Sequence, residues 1–438
     1  MIKNISIKDF DSFQLFQILK YLSTLTISIL LAKSQLSLHD LGQFESFVFL
    51  SSTVSFFWIN GSTQNLLVLQ PRFNKGSQSI NSLYVSCAIL MFSFSAISGI
   101  IIFIALFNNL IEGLFSLSNK YIILFLIYCL INPITHLSEF ILLLERKNNT
   151  LIKFGFFTLI ISVCLTSFPA IAGLSLDWCL TGFAIWSCIK YIYLIILLKK
   201  YSVFKINFPE IKQFLVYSFP LILISLISGF APYADSLIIN LGFSSEQFAV
   251  FRYGSREFPY FMIIASSFAA SMLPKLSGAF DFHSTVNEMK IKSRKIIYYC
   301  FPIAIILLLS SKYLYLALFN QNLAESYRIF DIYLLLIISR FVFPQTILAS
   351  MMKNRILLGV SAIELALNIS VSLILLNYIG LIGVAWGTVI AFIFEKIVLA
   401  FMVWIKTGIK PIQYIPIKEL SAFSILILTV YVIKYIAC

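Results

Sequence analysis

The chain has 438 residues and a formal net charge of +13, and 60% of its residues are hydrophobic while only 12% are charged. A soluble domain carries about 25% charged residues, so this composition and a mean hydropathy of +0.93 exclude a water-soluble globular protein. The sequence predicts an all-α polytopic membrane protein.

A helix needs about 20 mostly apolar residues to span a bilayer, and thirteen such segments follow one another along the chain. We expect them to start near Asp11, Leu41, Ile80, Asn119, Leu151, Asp177, Gln213, Ser245, Ile291, Glu325, Ile356, Gly380 and Glu419. The connecting loops are short, so we expect no extramembrane domain large enough to fold alone.

The loop charges predict an orientation. With the N-terminus in the cytoplasm, the opposite side holds only Lys33, Lys120, Arg328 and Lys434, with Lys312 close to that surface. All other loop cations then lie in the cytoplasm, as the positive-inside rule requires. The net charge therefore reports topology and contact with membrane lipids, and no nucleic acid partner is predicted.

An internal repeat predicts the domain organisation. Gln43-Phe44 opens the second segment as Gln247-Phe248 opens the eighth, and Gly155 and Gly359 match in the same register. Weak internal symmetry of this kind is typical of transporters. We expect two six-helix lobes, residues 1–200 and 201–410, related by a pseudo-twofold axis along the membrane normal. Residues 411–438 are expected to form an additional C-terminal transmembrane helix.

Five cations interrupt the apolar segments: Lys20, Lys190, Arg252, Arg256 and Arg340. A cation at the bilayer centre costs about 2.5–3.5 kcal/mol on insertion scales, so it normally faces a bundle interior or a water-filled cavity. At about 1.5 Å per residue, Arg256 and Arg340 lie near mid-membrane. These five are the candidate ligands of a negatively charged substrate, although the long stem of Lys20 also suits snorkelling to the interface.

Each cation also has a structural interpretation. Arg252 and Arg256 are one helical turn apart, and Asp235 in the preceding segment is a suitable ion-pair partner for Arg252. Glu257 competes for Arg256, but adjacent helical residues point about 100° apart. For Arg340 the candidate partners are Asp331 and Glu364.

The buried acids have two interpretations. Glu364 and Glu395 are either coupling-ion sites or charge partners of the cations, and the second is favoured because a lone buried carboxylate is costly. His136 and Glu139, three residues apart on one helix face, form either a proton relay or a satisfied polar pair. No cofactor or metal site is predicted, since the seven cysteines show no CxxC spacing.

A resemblance follows from the seventh and eighth segments. Their sequence resembles the pattern of polysaccharide flippases at Phe219-Pro220, Asp235, Leu241-Gly242, Phe251-Arg252-Tyr253, Pro259 and Pro274-Lys275-Leu276-Ser277. In the first half, Leu41 to Phe73 is similar to the matching region of the same family. These flippases belong to the multidrug/oligosaccharidyl-lipid/polysaccharide (MOP) superfamily, with Wzx-type O-antigen flippases, lipid II flippases and MATE drug exporters. A thirteenth helix departs from the twelve of Wzx-type proteins and the fourteen of lipid II flippases, and it would place Cys438 outside.

The resemblance implies a non-enzymatic function in the bacterial inner membrane. Such a protein flips a polyprenyl-pyrophosphate-linked oligosaccharide, an O-antigen or capsule or exopolysaccharide repeat unit, by alternating access through a cationic central cavity. A proton or sodium ion is a candidate coupling ion, and polysaccharide polymerase machinery is a candidate partner.

Three alternatives remain open. A MATE-like cation-coupled drug exporter should have acidic cavity residues, and the first segment has no carboxylate beyond Asp11. A membrane polysaccharide polymerase should have a large external loop, and the external loops here are short. A non-transporting structural partner would not need buried charges.

Overall fold

The computed structural model describes residues 7–73, 80–107, 119–202, 208–277, 281–351 and 353–436. About 90% of the structure is helical, and the described residues contain no strand. This confirms the prediction of an all-α protein. The predicted position of Cys438 lies outside the described residues.

Eight helices precede residue 230: α1 (Ile7–Lys33), α2 (Leu38–Phe73), α3 (Ile80–Phe107), α4 (Ile122–Thr135), α5 (Leu137–Leu144), α6 (Asn148–Ile171), α7 (Leu176–Tyr201) and α8 (Phe208–Gly229). A 3₁₀ turn, Asn119–Tyr121, leads into α4.

Eleven helices follow: α9 (Ala231–Gly242), α10 (Ser245–Gly254), α11 (Pro259–Ser277), α12 (Phe282–Leu318), α13 (Ser326–Leu334), α14 (Ile337–Arg340), α15 (Pro344–Ser350), α16 (Asn354–Ile379), α17 (Leu381–Thr407), α18 (Pro411–Tyr414) and α19 (Ile417–Ile436). A second 3₁₀ turn, Gln321–Leu323, precedes α13.

The molecule is a multi-pass membrane protein. Within the described ranges, nine helices are long and apolar enough to cross a bilayer, and a tenth crossing forms if Ser326–Arg340 and Pro344–Ser350, bent by 47°, count as one span. Helices also lie at the other three predicted segments, on α2, α10 to α11 and α19. These three are less uniformly apolar or less continuous than the others. Helix α2 is rich in polar residues, a break separates α10 from α11, and α19 carries three charges.

Two of the breaks within the predicted segments come directly before a proline. The eighth segment is interrupted at residues 255–258 and the tenth at residues 341–343. In each, a proline begins the next helix, Pro259 in α11 and Pro344 in α15. Proline lacks the N–H group that an uninterrupted helix needs, and it disfavours helical geometry in the residue before it. Arg256 therefore lies outside any helix, and the prediction that Arg252 and Arg256 are one turn apart on the same helix is wrong.

The chain divides into two compact units, and the first comprises Met1–Gly229 and Asn240–Ala249. It continues past residue 200 because α8 packs tightly on α2. Asn65 Nδ2 donates to the Phe214 carbonyl at 3.1 Å and to Ser218 Oγ at 2.8 Å. A side chain at Gly61 would meet the backbone of Ile222 at 2.6 Å, so only glycine allows this approach.

The second unit comprises Phe230–Ile239 and Val250–Cys438. Its helices α16 and α17 pack closely, since a Cβ at Gly387 would lie 2.1 Å from Ser372 Oγ. Helix α19 packs along α12, with Arg294 paired to Glu419 at 2.9 Å. The two six-helix lobes and their symmetry stay a prediction.

Candidate functional site

A polar cavity of about 270 Å³ lies inside the first unit, lined by residues of α1, α2 and α4 to α7. It brings together four of the ten residues that the sequence singled out: Lys20, His136, Glu139 and Lys190. The other six lie in the second unit.

Glu139 is the centre of a cluster of donors. Its carboxylate, 5% exposed, lies 3.1 Å from Lys20 Nζ, which is 34% exposed. It also lies 3.1 Å from His136 Nδ1 and accepts from Gln17 Nε2 at 3.4 Å. Lys20 Nζ is in turn 3.2 Å from His136 Nδ1. Lys20, His136 and Glu139 therefore contact one another, and Lys20 does not simply snorkel.

Lys190 has only neutral partners at short range. Its Nζ donates to Asn132 Oδ1 at 2.8 Å, and the same oxygen accepts from Ser187 Oγ at 3.2 Å. No carboxylate of the described residues lies within 4 Å of this ammonium. An amide oxygen satisfies one of its three donors without neutralising its charge, so the cavity has one more cation than its single carboxylate can balance.

The rest of the cavity wall combines aromatic rings and hydroxyl groups. Tyr128 stacks on Phe183 with ring centroids 5.0 Å apart, and Ser23 Oγ and Ser162 Oγ are 2.5 Å apart. Flat rings beside hydroxyls suit a ligand with apolar faces and polar edges, such as a sugar ring.

A tight turn at the end of α4 places His136 at this cavity. Pro133 lies in the last turn of α4, and the backbone N–H of His136 bonds to the Pro133 carbonyl at 3.3 Å in a single tight turn. His136 therefore sits at the junction between α4 and α5, and Glu139 follows in the first turn of α5.

The three arginines of the second unit have separate surroundings. Arg252 donates to Ser236 Oγ at 3.2 Å, and the Arg256 guanidinium lies 5.1 Å from the Tyr253 ring centroid. Arg340 pairs with Glu257 and lies 5.1 Å from the Phe392 ring. Asp331 and Glu364 were the predicted partners of Arg340, and that prediction is wrong because the break at residues 255–258 frees Glu257 to reach Arg340.

Buried acids of the second unit form a different cluster. Asp235 accepts from Tyr333 at 2.7 Å and from Thr388, whereas Arg252 donates to Ser236. The predicted Asp235–Arg252 pair is therefore replaced by other contacts. Asp235 Oδ1 and Glu364 Oε1 are buried and have no hydrogen-bond partner among the described residues.

Glu395 has a local partner. Its carboxylate lies 2.9 Å from Nζ of Lys396, and both side chains are 14% exposed. Lys396 also donates to Gln345 Oε1 at 3.4 Å. The structure thus gives Glu395 a cation next to it in sequence.

Sequence reasoning missed several residues of these clusters. Asn132 lies four residues before His136, a spacing that places the two on one helix face. That periodicity was the available signal for this asparagine. No comparable signal marked Thr388 or Tyr333, which reach Asp235 from distant parts of the chain.

The fold matches that of MOP transporters of known structure. The sequence itself matches no family model and no curated protein. Among solved structures, the chain is similar to the lipid II flippase MurJ in an inward closed conformation, with 19% identity, a TM-score of 0.67 and coverage of 96% of this chain and 92% of that one.

It is also similar to a variant of the Vibrio cholerae MATE transporter VcmN, at 14% identity and a TM-score of 0.60, covering 91% of this chain and 96% of that one. An inward-facing multidrug resistance MATE transporter gives 13% identity, a TM-score of 0.60 and coverage of 92% and 95%. At these identities the likeness is one of fold.

Proposed function

We propose that the protein is a flippase that moves a polyprenyl-pyrophosphate-linked oligosaccharide, an O-antigen or capsule or exopolysaccharide repeat unit, across the bacterial inner membrane. The observation that carries the proposal is the cavity of the first unit. Lys190 there has no carboxylate partner at short range in the part of the chain that the structure describes, and aromatic rings and hydroxyls surround it.

The physical obstacle to flipping is the polar head group. A pyrophosphate and a hydrated sugar cross hydrocarbon only if protein groups replace their water, whereas the lipid tail stays in the bilayer. Lys20 and Lys190 supply positive charge and the hydroxyls replace water around the sugar. Arg252 and Arg256 of the second unit stay candidate ligands, because the fork of an arginine donates two parallel hydrogen bonds to a phosphate.

Alternating access completes the cycle. Exposing the head-group site first to the cytoplasm and then to the outside delivers the oligosaccharide to the outer leaflet, where a polysaccharide polymerase would use it. An inside-negative potential favours outward movement of negative charge by about 2.3 kcal/mol per charge per 100 mV.

The acidic cluster of the second unit is our candidate for ion coupling. Asp235 and Glu364 each keep a buried oxygen without a hydrogen-bond partner among the described side chains and backbone, and a buried unsatisfied carboxylate is costly. A sodium ion or a proton would remove that cost. Binding of the ion and of the head group would then be coupled through the two access states.

A MATE-like drug exporter is the second candidate. The same two acids of the second unit favour it, because an organic cation needs a carboxylate partner. The two functions differ in where the substrate charge is balanced: at Lys190 for the flippase and at Asp235 and Glu364 for the exporter.

The test is a flipping assay in proteoliposomes with a fluorescent polyprenyl-pyrophosphate oligosaccharide. We expect outward transfer with the natural protein and at least a tenfold slower rate in Lys190→Gln. The matched control is Lys312→Gln, which removes an exposed lysine of α12 and should leave the rate unchanged. Transport of an organic cation without transfer of the lipid would overturn the flippase in favour of the exporter.

A further inference from the structure

Three groups of the first-unit cavity, Lys20, His136 and Glu139, lie within hydrogen-bonding distance of one another, but Nδ1 of His136 bonds to only one of the other two at a time. Lys20 Nζ lies 3.2 Å from His136 Nδ1, Lys20 Nζ lies 3.1 Å from Glu139 Oε1, and His136 Nδ1 lies 3.1 Å from the same oxygen. Each distance is short enough for a hydrogen bond.

The protonation states decide which of these bonds form. A charged lysine has three donors and no acceptor. Lys20 therefore bonds to His136 only if Nδ1 is a bare acceptor, which means a neutral imidazole with its proton on Nε2. His136 in turn bonds to Glu139 only if Nδ1 carries a proton. With Lys20 charged, both bonds of His136 cannot exist together.

We propose that protonation of His136 and binding of a small oxyanion at Lys20 and Lys190 are linked in this cavity. With His136 neutral, Lys20 bridges Nδ1 and the Glu139 carboxylate, and its charge is balanced. When Nδ1 takes a proton, His136 donates to Glu139, and the two adjacent cations repel each other. Lys20 then leaves Glu139, and it joins Lys190 as an unbalanced cation in the same cavity.

The surrounding helices add no other charge to the cavity wall. The charged groups that line it are Lys20 from α1, Glu139 from α5 and Lys190 from α7, while α2 and α6 contribute only uncharged residues. Protonation of His136 thus raises the net charge of the cavity by one unit. An oxyanion with two or more acceptor oxygens fits the two ammonium groups.

The inference rests on the proposed function for the origin of the oxyanion, which is either the pyrophosphate of the carrier or a carboxylate of an acidic sugar. Sulfate and glucuronate are the probes for these two sources. Both probes keep a fixed charge throughout the pH titration, so a pH effect reports on the protein.

Binding is measured on the detergent-solubilised full chain through the fluorescence of Trp186, which lines the cavity. The fluorescence change that is lost in the Trp186→Phe variant is the part that comes from the cavity. For one linked proton, the association constant of a bound probe should rise by up to about tenfold per unit fall in pH.

Two variants separate the switch from a general loss of structure. In His136→Gln the association constant should no longer change with pH. In Glu139→Gln the association constant should be high at every pH, because no carboxylate then pairs with Lys20. His283→Gln, at an exposed position in the first turn of α12, is the matched control and should keep the pH dependence of the natural chain.

Binding of glucuronate alone would identify a sugar carboxylate as the ligand, and binding of sulfate would identify a phosphate group; either supports the inference. Absence of both, or an unchanged pH dependence in His136→Gln, would overturn it. Lipid flipping with no pH-linked anion binding would leave the proposed function intact, whereas pH-linked binding without flipping would remove the flippase and keep the switch.

Discussion

At the scale of single residues, the contrast between Lys20 and Lys190 defines the cavity. Lys20 pairs with a carboxylate, whereas Lys190 contacts an amide oxygen. The sequence identified both cations because charges are conspicuous in apolar segments. It could not identify their partners, since Lys20 and Glu139 are 119 positions apart and meet only through packing.

We predict that Asn132→Asp weakens anion binding and flipping by about tenfold or more. The new carboxylate would lie next to Lys190 and balance its charge, and a charge-assisted hydrogen bond contributes about 1.5–3 kcal/mol. Flipping in proteoliposomes and probe titration measure the effect. Ser187→Ala, which changes the second hydrogen bond to the same oxygen, is the control and should cost far less. An unchanged flipping rate in Asn132→Asp would contradict a role for Lys190.

At the scale of elements, an ion pair of the second unit joins the breaks in two interrupted helices. Glu257 lies in the break between α10 and α11, and Arg340 ends α14 immediately before the other break. The prolines at 259 and 344 were visible in the sequence. The Glu257–Arg340 pair was not visible in the sequence. It forms because residues 255–258 are not helical, whereas the sequence predicted an uninterrupted helix there.

We expect Glu257→Gln to lower the free energy of unfolding by about 1–3 kcal/mol. The two side chains are 20% and 22% exposed, so the loss should lie between that of surface pairs and fully buried pairs. Thermal unfolding in detergent measures it, and the double variant with Arg340→Gln should recover part of the loss. Glu325→Gln, in the more exposed pair with Arg328, should change stability by less than about 1 kcal/mol.

Helix α19 supplies a stronger interaction. Lys434 pairs with Asp331 at 2.5 Å, and the Asp331 side chain is fully buried. Tyr435 also donates to Asp331 at 2.8 Å. Removing one partner of a buried pair costs about 3–5 kcal/mol, because the other charge is left uncompensated.

Lys434→Met should therefore lower the melting temperature more than any surface lysine variant does. Lys418→Met, at the exposed opposite end of α19, is the matched comparison. Adding Asp331→Asn to Lys434→Met should restore most of the stability. If both lysine variants melt alike, the pair contributes little and α19 is held by its apolar contacts with α12.

At the scale of the whole molecule, charge asymmetry predicts the orientation. Lys434 is one of the few cations assigned to the outer side. Because Asp331 balances its charge, this lysine is consistent with the positive-inside pattern. The all-α fold and the segment order followed from hydropathy. Most segment starts lie within a few residues of the prediction, but α12 begins nine residues earlier than Ile291, at Phe282, since its polar first turns carry no hydropathy signal.

We predict that single cysteines placed in a cysteine-free chain report this orientation. Ser175→Cys, exposed in the loop between α6 and α7, should react with a membrane-impermeant maleimide in intact cells. Asn149→Cys, exposed at the start of α6, should react only after the membrane is opened. The reverse pattern would mean that the N-terminus lies outside.

The Asp331–Lys434 pair also has a consequence for biosynthesis. The two residues are 103 positions apart, so at about 5–20 residues per second the ribosome needs roughly 5–20 seconds to supply the lysine after the aspartate. During that interval α13 must enter the membrane with its carboxylate unpaired. The arrival of α19 therefore sets the moment at which the second unit reaches its final structure.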